Sequence, residues 1–369
     1  MLRVTHAQLK ELIRVSVERK VPLMIWGSPG IGKTYCAKEV AKEQGIDLID
    51  LRLSLFDPTE LKGLPAFVDY EGPDGKLLKK TVWTTSDLIP SSGKGILLLD
   101  ELNMAPELIQ APAYQLLQFR QIGTSVLGDE WGIIATGNKL SDQTPTHMLS
   151  SALVNRIMHV ELNPPNIDAW VTWALDNALD DRVIGFVISN PGELYKIADI
   201  TTEEYAFPTP RSWELTSRVI LGIEDIQKVQ HLAMSLIGTE TGSKFVAFVK
   251  LSQTIQFEKY LENPKLIKEI CDISKIDVLY NFVVNVVKYW KLAKHKISKR
   301  AMKKFDSSKK VKLYGIDTFV KLAINMEQRE AGALLLRLLK RQNENSFKKQ
   351  LLSCKDWKLC TEIYGKYLI

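Results

Sequence analysis

The chain predicts an α/β fold: a five-stranded parallel sheet covered by helices on both faces, followed by helical segments alone. Three observations carry this expectation. Short, mostly apolar strand-like segments recur at residues 21–26, 46–53, 95–100, 131–136 and 157–162. Such runs suit strands buried on both faces of a sheet. Helical material separates most of them, for example at 34–44 and 106–119, and parallel strands need such crossovers. After Pro164 and Pro165 the strand signals stop.

Along the chain, Thr5 and Gln8 sit at capping-box spacing before a helix with Leu9, Leu12, Ile13, Ser16 and Val17 on one face. Residues 64–94, with Glu71-Gly72-Pro73-Asp74-Gly75-Lys76, read as an inserted hairpin. Trp83 within it is a candidate exposed aromatic, although a core position is the commoner place for tryptophan. A second hairpin is expected around Gly128-Asp129-Glu130. Residues 167–254 are helical in pattern, broken at Asn190-Pro191-Gly192 and at Phe207-Pro208-Thr209-Pro210. Gly238 to Lys244 imitate a phosphate-binding loop with one residue too few between the glycines, and read as a plain loop. Beyond Pro264 an apolar stripe runs through Leu279, Phe282, Val283, Val286, Val287 and Trp290, and a second long helix is expected at 318–341. These divisions give three expected domains: a core at 1–163, a helical lid at 164–260 and a helical carboxyl-terminal domain at 261–369.

Composition narrows the classes. Cys36, Cys271, Cys354 and Cys360 are scattered, without metal-ligand or disulfide-framework spacing, and the five histidines are equally dispersed. No signal peptide and no membrane-spanning run is evident, so a soluble cytoplasmic protein is expected. The net charge of +6 hides an asymmetry. Residues 262–369 hold 24 Lys+Arg against 11 Asp+Glu, whereas residues 1–261 hold 25 against 32.

The chemistry is concentrated near the start. Gly27, Ser28, Pro29, Gly30, Ile31, Gly32, Lys33 and Thr34 form a complete G-x-x-x-x-G-K-T sequence between a strand and a helix. Glycines let successive N–H groups turn inward around a polyphosphate, and the helix N-terminus adds positive potential. Lys33 is placed to reach the terminal phosphates and Thr34 to ligate Mg²⁺. The apolar strand 96–99 ends in Asp100 and Glu101; Asp100 suits a role at Mg²⁺ and Glu101 that of a general base for water. Taken alone, such a strand fits ordinary surface acids as well. Asn138, after the next strand, can orient water against the γ-phosphate. Arg156 precedes the fifth strand and would face a neighbouring subunit, while Arg211 follows Thr209-Pro210 at a helix start. For an isolated arginine, a surface ion pair is the commoner role.

Together these motifs resemble the MoxR-like group of AAA+ ATPases, over roughly residues 21–250. The resemblance rests on residues 27–34, on Asp57-Pro58-Thr59-Glu60-Leu61-Lys62-Gly63-Leu64-Pro65, on Leu97 to Glu101, and on Gln110 to Leu116. It matches Asn138 to sensor 1, Asn155-Arg156 to the arginine finger, and Phe207 to Glu214, with Arg211, to sensor 2. It implies a P-loop αβα core with a helical lid, a hexameric ring with ATP at subunit interfaces, and chaperone-like remodelling of a client protein. It further implies a von Willebrand-type partner and, for the 64–94 hairpin, the place of the family's helix-2 insert. The choice of ATP over GTP also comes from the resemblance.

The resemblance does not cover residues 264–369. Lys288 to Lys312 hold 11 Lys+Arg and one acid, Asp306, with Tyr289, Trp290 and Phe305 interleaved. That pattern fits a phosphate backbone with stacked bases, although a solvated helical face or a dock for an acidic protein is the commoner meaning of such a run.

Overall fold

The computed structural model describes residues 1–71, 77–139, 154–196, 205–254, 257–271, 316–326, 329–342 and 356–368, with isolated positions between. Two compact units are present, Met1–Pro165 and Asn166–Ile369.

The first unit runs β1 (Leu2–Val4), α1 (His6–Arg19), β2 (Leu23–Trp26), α2 (Lys33–Gln44), β3 (Asp47–Arg52) and α3 (Pro58–Lys62). It continues with β4 (Pro65–Glu71), β5 (Leu77–Trp83), β6 (Lys94–Asp100), α4 (Glu107–Phe119), β7 (Gln121–Ile122), β8 (Ser125–Val126), β9 (Glu130–Gly137) and β10 (Met158–Leu162). Six parallel strands make the central sheet, in the order β1-β10-β2-β9-β6-β3. All five expected segments are strands of this sheet, and β1 is a sixth on its edge. Three residues, with Val4 alone buried, carry too little pattern to announce a strand. Residues 96–99 of β6 are at most 1% exposed, which is why this strand is apolar without alternation.

The capping box forms as expected: Thr5 Oγ1 accepts from the Gln8 N–H, and the Thr5 N–H donates to Gln8 Oε1. The helix it starts buries Leu9, Ile13, Ser16 and Val17, with Leu12 half-buried. Its close approach to the sheet explains a glycine: a Cβ on Gly132 would stand 2.7 Å from Val17 Cγ2 and 2.8 Å from its Cα.

The inserted hairpin is β4–β5, in antiparallel register from Pro65↔Trp83 to Glu71↔Leu77. Both of its faces meet solvent; Phe67 is 76% exposed and Leu77 81%. Trp83 is half-exposed too, not a core residue, because a two-stranded ribbon has no second layer to cover it. The second hairpin is displaced from its expected place. It is β7–β8, turning at Gly123 (φ 55) and Thr124, and Gly128 to Glu130 form the turn that leads into β9.

The second unit is helical: α5 (Ile167–Asp176), α6 (Asp181–Ser189), α7 (Pro210–Ile220), α8 (Ile226–Ile237), α9 (Thr239–Thr254), α10 (Phe257–Glu262), α11 (Ile316–Asn325), α12 (Arg329–Gln342) and α13 (Trp357–Leu368). Phe186 packs against Trp213, Phe245 and Phe248 at 5.4–5.6 Å between ring centroids. The same core continues into Phe282, Phe319 and Tyr364, so helices on both sides of residue 260 share one interior.

Two local expectations are corrected here. Gly238 to Lys244 are not a loop: Gly238 (φ 81) ends α8 and α9 begins at the next residue. Gly242 serves the crossing of these helices, since a Cβ there would meet Met234 Cγ at 2.7 Å. The single helix expected at 318–341 is two, α11 and α12. Gly332 of α12 lies so close to α13 and α11 that a Cβ would stand 2.1 Å from Tyr364 Oη and 3.1 Å from the Ala323 carbonyl. One straight helix through 318–341 could not bring Gly332 that close to Ala323. Leu279, Phe282, Val283 and Val286 of the expected stripe are buried. Val287, Trp290 and the whole basic stretch 288–312 lie outside the described residues.

Candidate nucleotide site

Strand register gathers the site. Trp26 at the end of β2 lies beside Gly137 at the end of β9, and the Gly27 N–H donates to the Gly137 carbonyl at 3.2 Å. Leu99 of β6 lies beside Ala135, and Asp100 beside Arg52. The carboxyl ends of β2, β9, β6 and β3 therefore share one edge, where open α/β sheets bind ligands.

Residues 27–34 turn at this edge. Gly30 (φ 75) and Gly32 (φ 101) adopt left-handed backbone that a side chain would strain. Gly32 caps α2 without any side-chain hydrogen bond, so the first N–H groups of α2 face the loop. Lys33 is 9% exposed, and its Nζ donates to the Gly27 carbonyl at 2.5 Å, the Ser28 carbonyl at 3.1 Å and Asn138 Oδ1 at 2.9 Å.

Asp100, 5% exposed, accepts from Thr34 Oγ1 at 3.0 Å and from Thr136 Oγ1 at 2.5 Å. A hydroxyl and a carboxylate oxygen side by side are hard oxygen donors of the kind Mg²⁺ takes, completed in phosphoryl-transfer sites by water and phosphate. Thr34 and Asp100 thus fit the cation the motif calls for. Next to it, Glu101 adopts left-handed backbone (φ 56, ψ 39), and its N–H donates to Thr136 Oγ1 at 3.0 Å. Its side chain stays one-third exposed, with Arg52 Nε 4.0 Å from Oε2. Asn138 is 6% exposed and clamped by Asn103, whose Nδ2 donates to the Asn138 carbonyl at 2.8 Å and whose Oδ1 accepts the Asn138 N–H at 3.1 Å.

The structure thus brings together residues 27–34, Asp100, Glu101 and Asn138. Arg156 is elsewhere: it lies exposed on the turn entering β10, whose first residue, Met158, pairs with Leu23 at the start of β2. That is the edge of the sheet opposite the phosphate loop. Arg211 is exposed in the first turn of α7, in the second unit, behind a Thr209 cap and Pro210 as expected.

Four contributors were not legible beforehand. Thr136 joins Asp100 to the Glu101 backbone; Asn103 orients Asn138; Arg52 approaches both acids. His6 Nε2 lies 2.7 Å from the Ile31 carbonyl, bracing the phosphate loop from below. Burial lowers the His6 pKa and the bond to Ile31 only partly offsets this; a carbonyl only accepts, so Nε2–H is the donor.

A parallel sheet with a phosphate loop after β2 and paired acids at the end of β6 defines a P-loop nucleoside-triphosphatase domain. More narrowly, residues 23–162 match the family described as ATPase family associated with various cellular activities (AAA), and this stretch is an AAA ATPase domain. Midasin of Giardia intestinalis is 26% identical over 219 residues, covering 56% of this chain, and the chain spans only 4% of Midasin's length. Among solved structures, the Thermotoga maritima RuvB Holliday junction branch migration motor is 14% identical, with a TM-score of 0.34 over 73% of this chain and 76% of its own. NtrX of Brucella abortus in complex with ADP is 14% identical, with a TM-score of 0.37 over 79% of this chain and 67% of its own. Among the described residues, no helix is long and apolar enough to cross a membrane.

Proposed function

We propose that the protein is a cytoplasmic Mg²⁺-dependent ATPase of MoxR-like type that couples hydrolysis to remodelling of a client protein or complex. The observation that carries the catalytic half is the contact of Thr34 with Asp100 beside the loop, with Glu101 next in sequence and Asn138 bonded to Lys33. Residues 27–34 would bind the triphosphate and Thr34 and Asp100 would hold Mg²⁺, which supplies charge neutralisation at the phosphates. Glu101 would take the proton of the attacking water, and Asn138 would orient that water. Arg156, at the opposite edge of the sheet, would complete the site of the next subunit in a homo-oligomer, by family resemblance a hexameric ring. Arg211 of the 164–260 lid would report the phosphate state. The exposed β4–β5 hairpin supports the remodelling half as a surface available to a client. A von Willebrand-type partner belongs to the same reading.

A second reading, a nucleic-acid-associated motor, is supported by one observation, the excess of 24 Lys+Arg over 11 Asp+Glu in residues 262–369. Mg²⁺-dependent ATP hydrolysis, measured over a protein concentration series with and without DNA at two salt concentrations, separates the two. Specific activity that climbs with protein concentration and ignores DNA supports the remodelling ring. Salt-sensitive stimulation by DNA replaces it with the motor. Absence of Mg²⁺-dependent turnover under every condition rejects both.

A further inference from the structure

The turn that carries Arg156 is tied to the strand that carries the phosphate loop by one pair of side chains. Trp26, the last residue of β2, donates its indole N–H to His159 Nδ1 at 3.0 Å, across 133 positions of sequence. An indole nitrogen only donates, so Nδ1 must accept and the neutral ring carries its proton on Nε2. Nε2–H in turn donates to the Val154 carbonyl at 2.9 Å, two residues before Arg156. The two rings are nearly parallel, 18° between planes and 6.2 Å between centroids. Both ring nitrogens of His159 are therefore committed, one to β2 and one to the turn before β10. Trp26 itself adjoins Gly27, where the phosphate loop begins.

We propose that His159 is a positioning residue. The Trp26–His159–Val154 bridge fixes the turn that presents Arg156, and references it to the end of β2 from which the phosphate loop departs. A loop shift that follows nucleotide binding would reach the arginine offered to the next subunit through this bridge. The proposal rests on the reading of Arg156 as a finger in trans.

Mixed assemblies test it. In the reference mixture, Glu101→Gln subunits give the finger and Arg156→Ala subunits give the phosphate loop and general base. Adding His159→Phe to the finger-giving subunit keeps a ring but removes both bonds, and should lower turnover of the mixture about tenfold to a hundredfold. The same change in the loop-giving subunit should leave turnover within about twofold of the reference mixture, well inside the loss expected from a misplaced group. His159→Gln, which restores a donor near the position of Nε2, should recover most of the loss. Trp26→Phe cuts the bridge from its other end and serves if His159→Phe does not fold. Equal losses in both placements would show a merely structural role and overturn the proposal. So would full turnover with His159→Phe in the finger-giving subunit. A reference mixture without turnover would instead reject the finger in trans, and with it the premise of the bridge.

Discussion

Thr136 Oγ1 stands 2.5 Å from Asp100 Oδ1 and accepts the Glu101 N–H at 3.0 Å, so one hydroxyl on β9 fixes both acids at the end of β6. Its proton goes to the Asp100 carboxylate, and a lone pair receives the peptide N–H of the residue that would activate water. This is second-strand support for the proposed metal ligand and for a strained backbone at the same time.

Thr136→Val keeps the shape and removes both bonds. Thr136 is fully buried, so the Glu101 N–H is left unpaired at a cost of about 1–3 kcal/mol. The expected outcome is a fall in Mg²⁺-ATPase activity larger than any fall in nucleotide affinity measured without Mg²⁺. Equal falls in both would place Thr136 outside the metal and water chemistry.

Glu101→Gln retains a side chain of the same length without a basic oxygen. Turnover should drop about 10²- to 10⁴-fold, the usual contribution of a general base, with ATP affinity held. Single-turnover hydrolysis beside equilibrium binding of a fluorescent ATP analogue reads the two quantities separately. Retained turnover would reassign the base.

Gly132→Ala addresses the fold rather than the chemistry. The added methyl would press on Val17 Cγ2 at 2.7 Å and on its backbone Cα at 2.8 Å, with α1 lying across β9. Overpacking of this kind costs about 1–3 kcal/mol, so the denaturant midpoint of the first unit should fall. An unchanged midpoint would show that α1 moves freely over the sheet.

Acid should loosen the helical unit through Glu193. Burial pushes its carboxyl pKa up, but hydrogen bonds from Lys196, Lys244 and Thr241 outweigh burial and hold it down to about 2, against an ordinary 4.5. The folded state therefore binds fewer protons than the unfolded chain between these values. The stability this provides is complete above pH 4.5 and is lost as pH falls toward about 2. Glu193→Gln should be less stable at neutral pH and show a flatter acid dependence across that window, read from urea midpoints. A parallel pH profile in the two proteins would refute the assignment.

Legibility in the sequence followed locality. Residues 27–34 and the pair Asp100 and Glu101 announce themselves because their chemistry needs contiguous residues at fixed spacing. Asn138 was reachable because it closes a strand. Thr136 was not, since its role exists only once β6 and β9 are in register. His6 and Ile31 are 25 positions apart and Trp26 and His159 are 133 apart, and no periodicity links either pair. The β4–β5 hairpin was signalled by its glycine- and proline-rich tip. Trp83 could be read as exposed or as core, and the sequence did not decide between them, because the lack of a covering layer is a property of the whole unit.

The edge position of β1 has a consequence for the order in which the molecule can assemble. Leu2 pairs with Val160 and Val4 with Leu162, so among the described residues the shortest strand of the sheet has its sole neighbour more than 150 residues later in the chain. During synthesis at about 5–20 residues per second, Leu2–Val4 must wait for the last strand before it has anything to dock on. Nascent chains halted before residue 158 should therefore hold β1 without the strand it pairs with. The sheet would then close late and abruptly, with the arrival of its last strand, and not gradually as the chain leaves the ribosome.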